Sequence, residues 1–142
     1  MKLAAVNDIY EVRIMTLVSD VDRQSLVDLY QPLIGIAPVG LYFSLLEDPS
    51  KEANKTCAFE DLGVRTGLTI GQINSHIKAL EATGLVKTFV KEDKKINYFV
   101  FCIYSPMDPR GFFDDILFVG TLKKQIGEKA LNELAAKYKK PE

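Results

Sequence analysis

Between Thr69 and Tyr104 the chain carries a helix with its own start and stop signals that runs straight into two strands, and few folds accommodate that order. Gln72 follows Thr69 at the spacing where a cap side chain and the third helical residue satisfy each other's backbone N–H groups. Ile70, Ile73, Ile77 and Leu80 form the inner stripe, and Gly84 supplies the left-handed residue that ends such a helix. Leu85 to Lys91 and Ile96 to Tyr104 read as strands joined by the charged turn Glu92-Asp93-Lys94-Lys95.

Upstream, Tyr10 to Met15 alternates apolar and polar residues, as a short extended arm with one buried face does, and such an arm needs something to pair with. Ser19 and Asp20 offer caps for a helix whose stripe is Leu26, Leu29, Tyr30 and Leu33; Pro32 and Gly35 predict that it stops near Gln31 or turns sharply through Pro32-Leu33-Ile34-Gly35. That corner is expected to be structural, with Leu33 and Ile34 entering the core. Pro38 suits the first turn of a second helix, and Val39, Tyr42, Phe43, Leu45 and Leu46 make it apolar over more than half its circumference, so it should be central. Asp48-Pro49-Ser50 ends it, Lys51 to Lys55 reads as a surface loop, Thr56 to Phe59 as a short strand, and Glu60 to Gly67 as one or two helical turns.

Helix, short strand, helix, turn, capped helix and hairpin is the layout of a winged helix. The expected class is α+β, mainly α: an N-terminal extended arm over 1–18, a winged-helix domain over 19–105, and a C-terminal helical extension over 106–142 packed on it. Asp108 and Pro109 start that extension, Phe112, Phe113, Ile116 and Leu117 give it an apolar helix, and Ala130, Leu131, Leu134 and Tyr138 mark the last helix before the basic Lys137-Tyr138-Lys139-Lys140.

The 142 residues, 47% hydrophobic and 26% charged, suffice for one cored domain and exclude disorder and a disulfide scaffold. The N-terminus lacks a signal-peptide pattern and no apolar run approaches a membrane span, so a cytoplasmic protein is expected. Cys57 and Cys102 have no C-x-x-C spacing and His76 is the single histidine, which argues against a metal site and for reduced thiols. No phosphate-binding loop, dinucleotide fingerprint or nucleophile motif is present; Glu60-Asp61 and Asp114-Asp115 read as first-turn carboxylates of helices. The chain is expected to be no enzyme and to use no cofactor.

A DNA-reading winged helix contacts bases from its third helix, and here that helix presents Gln72, Asn74, Ser75, His76, Lys78 and Glu81, a thin supply of cations. Net charge is −1 overall, with residues 85–142 at +3 and residues 1–84 at −4. Lys87, Lys91, Lys94 and Lys95 on the wing are the candidate phosphate contacts, expected to give weak, salt-sensitive DNA binding at most. The strand from Ile96 to Tyr104 is apolar on both faces, so something must cover the second one. Candidates are the helix carrying Phe112, Phe113, Ile116 and Leu117, or another subunit reached by the arm, which makes Tyr10, Val12, Ile14, Phe99 and Phe101 the candidate oligomer interface.

Asp22-Arg23-Gln24, Leu29-Tyr30-Gln31-Pro32-Leu33-Ile34-Gly35, Leu80-Glu81-Ala82-Thr83-Gly84-Leu85-Val86-Lys87-Thr88 and Asp108-Pro109-Arg110-Gly111-Phe112-Phe113-Asp114-Asp115 resemble the N-terminal domain of the DnaB/DnaD family of Gram-positive replication-initiation proteins, the helicase co-loaders. The resemblance spans about Tyr10 to Tyr138, and Tyr-Gln-Pro-Leu-Ile-Gly is its most specific piece. It implies a non-catalytic, self-associating domain, a homodimer or homotetramer, in the primosome that loads the replicative helicase, with DnaD and the helicase or its loader as partners. It also implies that a separate C-terminal module carries much of the DNA binding, so the chain reads as an excised domain, membrane-associated only through partners or the full-length protein. The alternative is a stand-alone winged-helix transcription regulator that reads duplex DNA.

Overall fold

The computed structural model describes residues 2–138. Its chain order is β1 (Ile9–Ile14), α1 (Asp20–Ser25), a π-helical turn (Leu26–Tyr30), α2 (Gln31–Ile34), α3 (Ile36–Leu46), a 3₁₀ turn (Pro49–Lys51), β2 (Cys57–Ala58), α4 (Phe59–Thr66), α5 (Ile70–Ala82), β3 (Val86–Lys91), β4 (Tyr98–Ile103), α6 (Pro109–Asp114), α7 (Ile116–Ile126) and α8 (Glu128–Tyr138). This is the expected α+β, mainly α winged helix with helices after the wing. Lys139 and Lys140 of the basic end lie outside the described residues.

Local codes hold where the sequence placed them. Thr69 Oγ1 accepts from the Gln72 N–H at 3.1 Å and the Gln72 side chain accepts from the Thr69 N–H at 2.9 Å, closing the capping box of α5. Ser19 and Asp22 make the same box at α1. Gly84 takes φ 79°, and the Leu85 N–H returns to the Leu80 carbonyl at 3.0 Å, so the chain leaves α5 already aimed along β3.

The first helix does not stop near Gln31. The Gln31 N–H donates to the Leu26 carbonyl, five residues back, and the helix continues to Ile34. Proline cannot donate and its ring crowds the carbonyl four residues earlier; the widened π turn just before Pro32 accommodates both defects. Gly35, at φ 92° and ψ 166°, then ends α2 and starts α3. Leu33 and Ile34 are half-buried, packed against the core rather than inside it.

The four strands form one sheet in the order β2-β1-β4-β3. β1 pairs in parallel with β4, placing Tyr10 beside Phe99, Val12 beside Phe101 and Ile14 beside Ile103, and it pairs antiparallel with β2. The arm expected to reach another subunit is thus an internal strand of this chain's own sheet. Tyr10, Val12, Phe99 and Phe101 are buried in the subunit and Ile14 packs against the same core, so their reading as an oligomer interface is corrected. Periodicity exposes a buried face on a strand; it carries no information about which strand lies alongside.

Lys51 to Lys55 are exposed, as a surface loop would be, but the Asp48-Pro49-Ser50 stop that precedes them does more than end α3. Asp48 and Ser50 are buried beneath β1. Asp48 accepts from the Tyr10 hydroxyl at 2.7 Å, from Arg65 of α4 at 2.5 Å, and from the Ser50 N–H and hydroxyl at 3.0 and 2.5 Å; Ser50 Oγ in turn accepts from the Val12 N–H at 3.0 Å. This network ties the outer edge of the helical layer to the sheet.

The helices after the wing pack on the π turn and α2. Phe112 is fully buried; its ring stacks on Phe118 at 5.2 Å and meets the Tyr30 ring at 5.6 Å. Tyr30 also accepts from the Met107 N–H at 2.9 Å, and Tyr138 donates to Asp28 at 2.7 Å. The expected single helix through Phe112, Phe113, Ile116 and Leu117 is broken at Asp115, whose side chain caps α7 by accepting from the Leu117 and Phe118 N–H groups. Ile116 and Leu117 consequently point to solvent, 87% and 81% exposed, and do not cover β4.

Candidate functional site

Pairing register fixes what the outer face of the sheet presents. Lys87, Phe89 and Lys91 of β3 lie opposite Cys102, Val100 and Tyr98 of β4, which lie opposite Arg13, Glu11 and Ile9 of β1. Phe89 is half exposed, and Lys87 Nζ sits 5.4 Å from its ring centre, a cation held over an aromatic face. Glu11 bonds Arg13 at 3.0 Å and accepts from the Tyr98 hydroxyl; the Arg13 contact first, and Tyr98 after it, hold the Glu11 carboxyl below the usual carboxylate range. Lys94 and Lys95 lie apart from this grid, on the exposed loop between β3 and β4. The structure therefore divides the four candidate lysines into two on the sheet face and two at the wing tip.

The third helix offers less than its sequence suggests. Asn74 receives the Ala4 N–H at 2.9 Å and donates to the Ala4 carbonyl at 2.9 Å, the two-bond pairing a strand partner would make. Its amide is spent on the chain's own N-terminal segment. Glu81, two turns further along the same side of α5, faces the wing. Gln72, Ser75 and Lys78 remain exposed and His76 is half-buried, leaving one cation on that helix for a phosphate.

Residues 2–4, α5 and the inner side of the wing enclose a cleft of about 540 Å³. Leu3, Ala4, Ile77, Val90, Phe99 and Phe101 make its walls apolar, and Lys2 and Glu92 form an ion pair of 3.5 Å at its edge. Sequence reasoning missed it, since it needs the first residues of the chain folded back along α5. The short polar side chain of Asn74 within an apolar-periodic helix is the signal that could have found it.

Among the described residues there is no cluster of three or more His, Cys, Asp or Glu side chains able to hold a metal, and no helix long and apolar enough to cross a membrane.

The family profile of the DnaB N-terminal winged helix domain matches residues 5–142, nearly the whole chain. The chain belongs to that family. Over 108 residues, 75% of this chain, it is 31% identical to the replicative helicase loading/DNA remodeling protein DnaB of Staphylococcus aureus (strain NCTC 8325 / PS 47), of which it covers 23%. It superposes with a TM-score of 0.90 and 26% identity on the crystal structure of primosome protein DnaB (residues 1–300) from Geobacillus stearothermophilus, covering 97% of this chain and 53% of that one. The chain thus spans about a quarter of the curated DnaB relative and about half of the solved one. Its relatives act in DNA replication, and this DnaB-type winged helix carries the internal β1 strand and the post-wing helices within the matched region.

Proposed function

We propose that this domain is a non-catalytic assembly module of replication initiation, one that self-associates and contacts primosome proteins to support loading of the replicative helicase. Family membership supports the setting. The observation that carries the interaction role is the set of large apolar side chains left in water: Leu17, between β1 and α1, at 90%, and Ile36, Ile116 and Leu117, at the starts of α3 and α7, at 74%, 87% and 81% exposure. Ile36 opens α3 and Ile116 opens α7, and both helices contact α2. Self-association is assigned to these exposed apolar side chains once β1 is counted as core.

The partners are a second copy, as a homodimer or homotetramer, and primosome proteins such as DnaD and the helicase or its loader. DNA contact is weak and electrostatic, through Lys87 and Lys91 of the sheet face and Lys94 and Lys95 at the wing tip. A cytoplasmic setting follows from that role. The transcription-regulator reading loses ground because Asn74 is committed to Ala4 and Glu81 faces the wing.

Light scattering at tens of micromolar, a concentration suited to about micromolar association, tests the proposal: a dimer or larger is expected, reduced to monomer by Ile116→Asp with Leu117→Asp. A monomeric parent overturns self-association. Tight discrimination of one duplex sequence at physiological salt, lost on changing Ser75 or His76, would instead favour the regulator.

A further inference from the structure

β3 is the last strand of the sheet: one of its sides pairs with β4, and the other pairs with no strand among the described residues. The Tyr104 N–H donates to the Leu85 carbonyl at 2.9 Å, and the antiparallel register carries that alternation inward. Lys87, Phe89 and Lys91 therefore exchange bonds with β4, while Thr88 and Val90 turn their N–H and C=O groups to the free edge, where nothing among the described residues answers them. An edge of this kind is a template for another strand. The side chains along it on the outer face are Lys87, Phe89 and Lys91, all exposed. Neither lysine takes part in an ion pair among the described residues. Of the nearby carboxylates, Glu11 is held by Arg13 and Tyr98, and Glu92, next to Lys91, pairs with Lys2.

We propose that the free edge of β3 takes up an extended acidic segment of a partner protein, added antiparallel as a further strand, with acidic residues opposite Lys87 and Lys91 and an apolar one opposite Phe89. In that register the partner's main chain bonds Thr88 and Val90. The row of Lys87, Phe89 and Lys91 then falls in the non-hydrogen-bonded pairs, where facing side chains come closest, about 4.5–5.5 Å between Cβ atoms. Charge selects the occupant. A second copy is repelled, because antiparallel pairing centred on Phe89 sets lysine against lysine at both ends, and like charges directly opposite destabilise a sheet. A phosphate backbone neutralises the lysines but offers no donor to the outward carbonyls of Thr88 and Val90. Protection of the edge by lysines gives no reason for the half-exposed Phe89 ring between them. The inference deepens the assembly reading, on which it rests for the partner being a protein, by naming a docking edge and the chemistry it selects.

The test is a titration of the isotope-labelled chain, read by amide NMR, with acetyl-Thr-Glu-Thr-Val-Thr-Glu-Thr-amide, the same peptide with glutamine for both glutamates, and the glutamate peptide N-methylated at the two threonines that flank valine. The acidic peptide should shift the amides of Val86 to Lys91 and, at saturation, slow hydrogen exchange at Thr88 and Val90 by about tenfold or more, as newly bonded edge amides do. Glutamine should weaken binding several-fold. N-methylation keeps the charge and removes the main-chain donors that face the edge, and should weaken it by about tenfold or more. Lys87→Glu with Lys91→Glu, at exposed positions, should invert the preference in favour of a peptide carrying lysine for both glutamates. Equal binding of the three peptides, or no shifts up to millimolar peptide, overturns the proposal. An oligonucleotide that shifts these amides where the acidic peptide shifts none gives the row to nucleic acid and overturns it as well. Light scattering reads self-association separately, so a monomeric chain that binds the acidic peptide refutes the homo-oligomer and supports the edge site.

Discussion

The Tyr10 hydroxyl donates to Asp48 Oδ1 at 2.7 Å across the interior of the subunit, joining the central strand to the turn that follows α3. Arg65 Nη2 reaches both ends of that bond, at 2.6 Å from the Tyr10 oxygen and 2.5 Å from the carboxylate. Burial foremost, then the bond to Asp48, pushes the Tyr10 phenol far above its ordinary range, so it stays a neutral donor. The Asp48 side chain is fully buried while that of Arg65 is 37% exposed, which makes the carboxylate the critical member.

Asp48→Ala is expected to cost about 2–4 kcal/mol, since it strips the buried Tyr10 and Ser50 donors of their acceptor. Tyr10→Phe should cost less, about 1–2 kcal/mol, because Arg65 and Ser50 still satisfy the carboxylate. Urea unfolding of both variants checks the ranking, and equal, small losses would show that the network is solvated.

Gly35→Ala should lower stability by about 1–3 kcal/mol, because φ 92° with ψ 166° belongs to a region that Cβ-bearing residues avoid. A Cβ there would meet only Pro38, at 3.9 Å, so the loss comes from backbone strain and not from a clash. Leu33→Ala, at a half-buried position, should cost less than a fully buried leucine would. Thermal denaturation of the two variants separates these contributions.

Asn74→Ala should release the N-terminal segment. Both Ala4 bonds end on that one amide; the segment's other ties are the exposed Lys2–Glu92 ion pair at 3.5 Å, the Ala5 N–H donating to Asp8 at 2.8 Å, and the Ala5 and Val6 carbonyls accepting from the Asp8 and Glu60 N–H groups at 3.0 and 3.2 Å. Amide exchange at Ala4 should accelerate by at least about tenfold while exchange in the α5 core holds, as local opening predicts. Uniform acceleration along α5 would instead mean that the helix itself was damaged.

The Glu11 carboxyl titrates below its usual range in the folded chain, so its contribution is fully present above the unfolded value and is lost as pH falls through the lower folded one. Glu11→Gln should therefore be less stable than the parent at pH 7, and the gap should close as the solution is acidified below the ordinary carboxylate range. A gap that is constant with pH would assign the effect to packing on the sheet face. Urea midpoints at a series of acidic pH values provide the measurement.

Lys87→Ala with Lys91→Ala should weaken duplex binding on all sequences alike and flatten its salt dependence by about 0.9 in log–log slope for each phosphate no longer neutralised. Lys94→Ala with Lys95→Ala reports on the wing tip separately. Fluorescence anisotropy across a salt series distinguishes the two pairs, and unchanged slopes in both would remove the wing from the DNA account.

Elements with a code inside a dozen residues were legible in the sequence. The Thr69–Gln72 box, the Gly84 stop and the Asp108-Pro109 start are satisfied by their own neighbours, so their order alone gave a winged helix. The lysines were legible as candidates, though not as two separate groups. What depended on remote partners was settled only in three dimensions. The parallel pairing of Tyr10 with Phe99, the descent of Asp48 into the core and the hold of Asn74 on Ala4 each join residues 38 to 89 positions apart. A hydrophobic period states that one side of a segment is buried and is silent on what buries it, so the same alternation fits an arm gripping a neighbour and a strand inside its own sheet. Closing those long loops, and finding acceptors for every buried donor, decided between them.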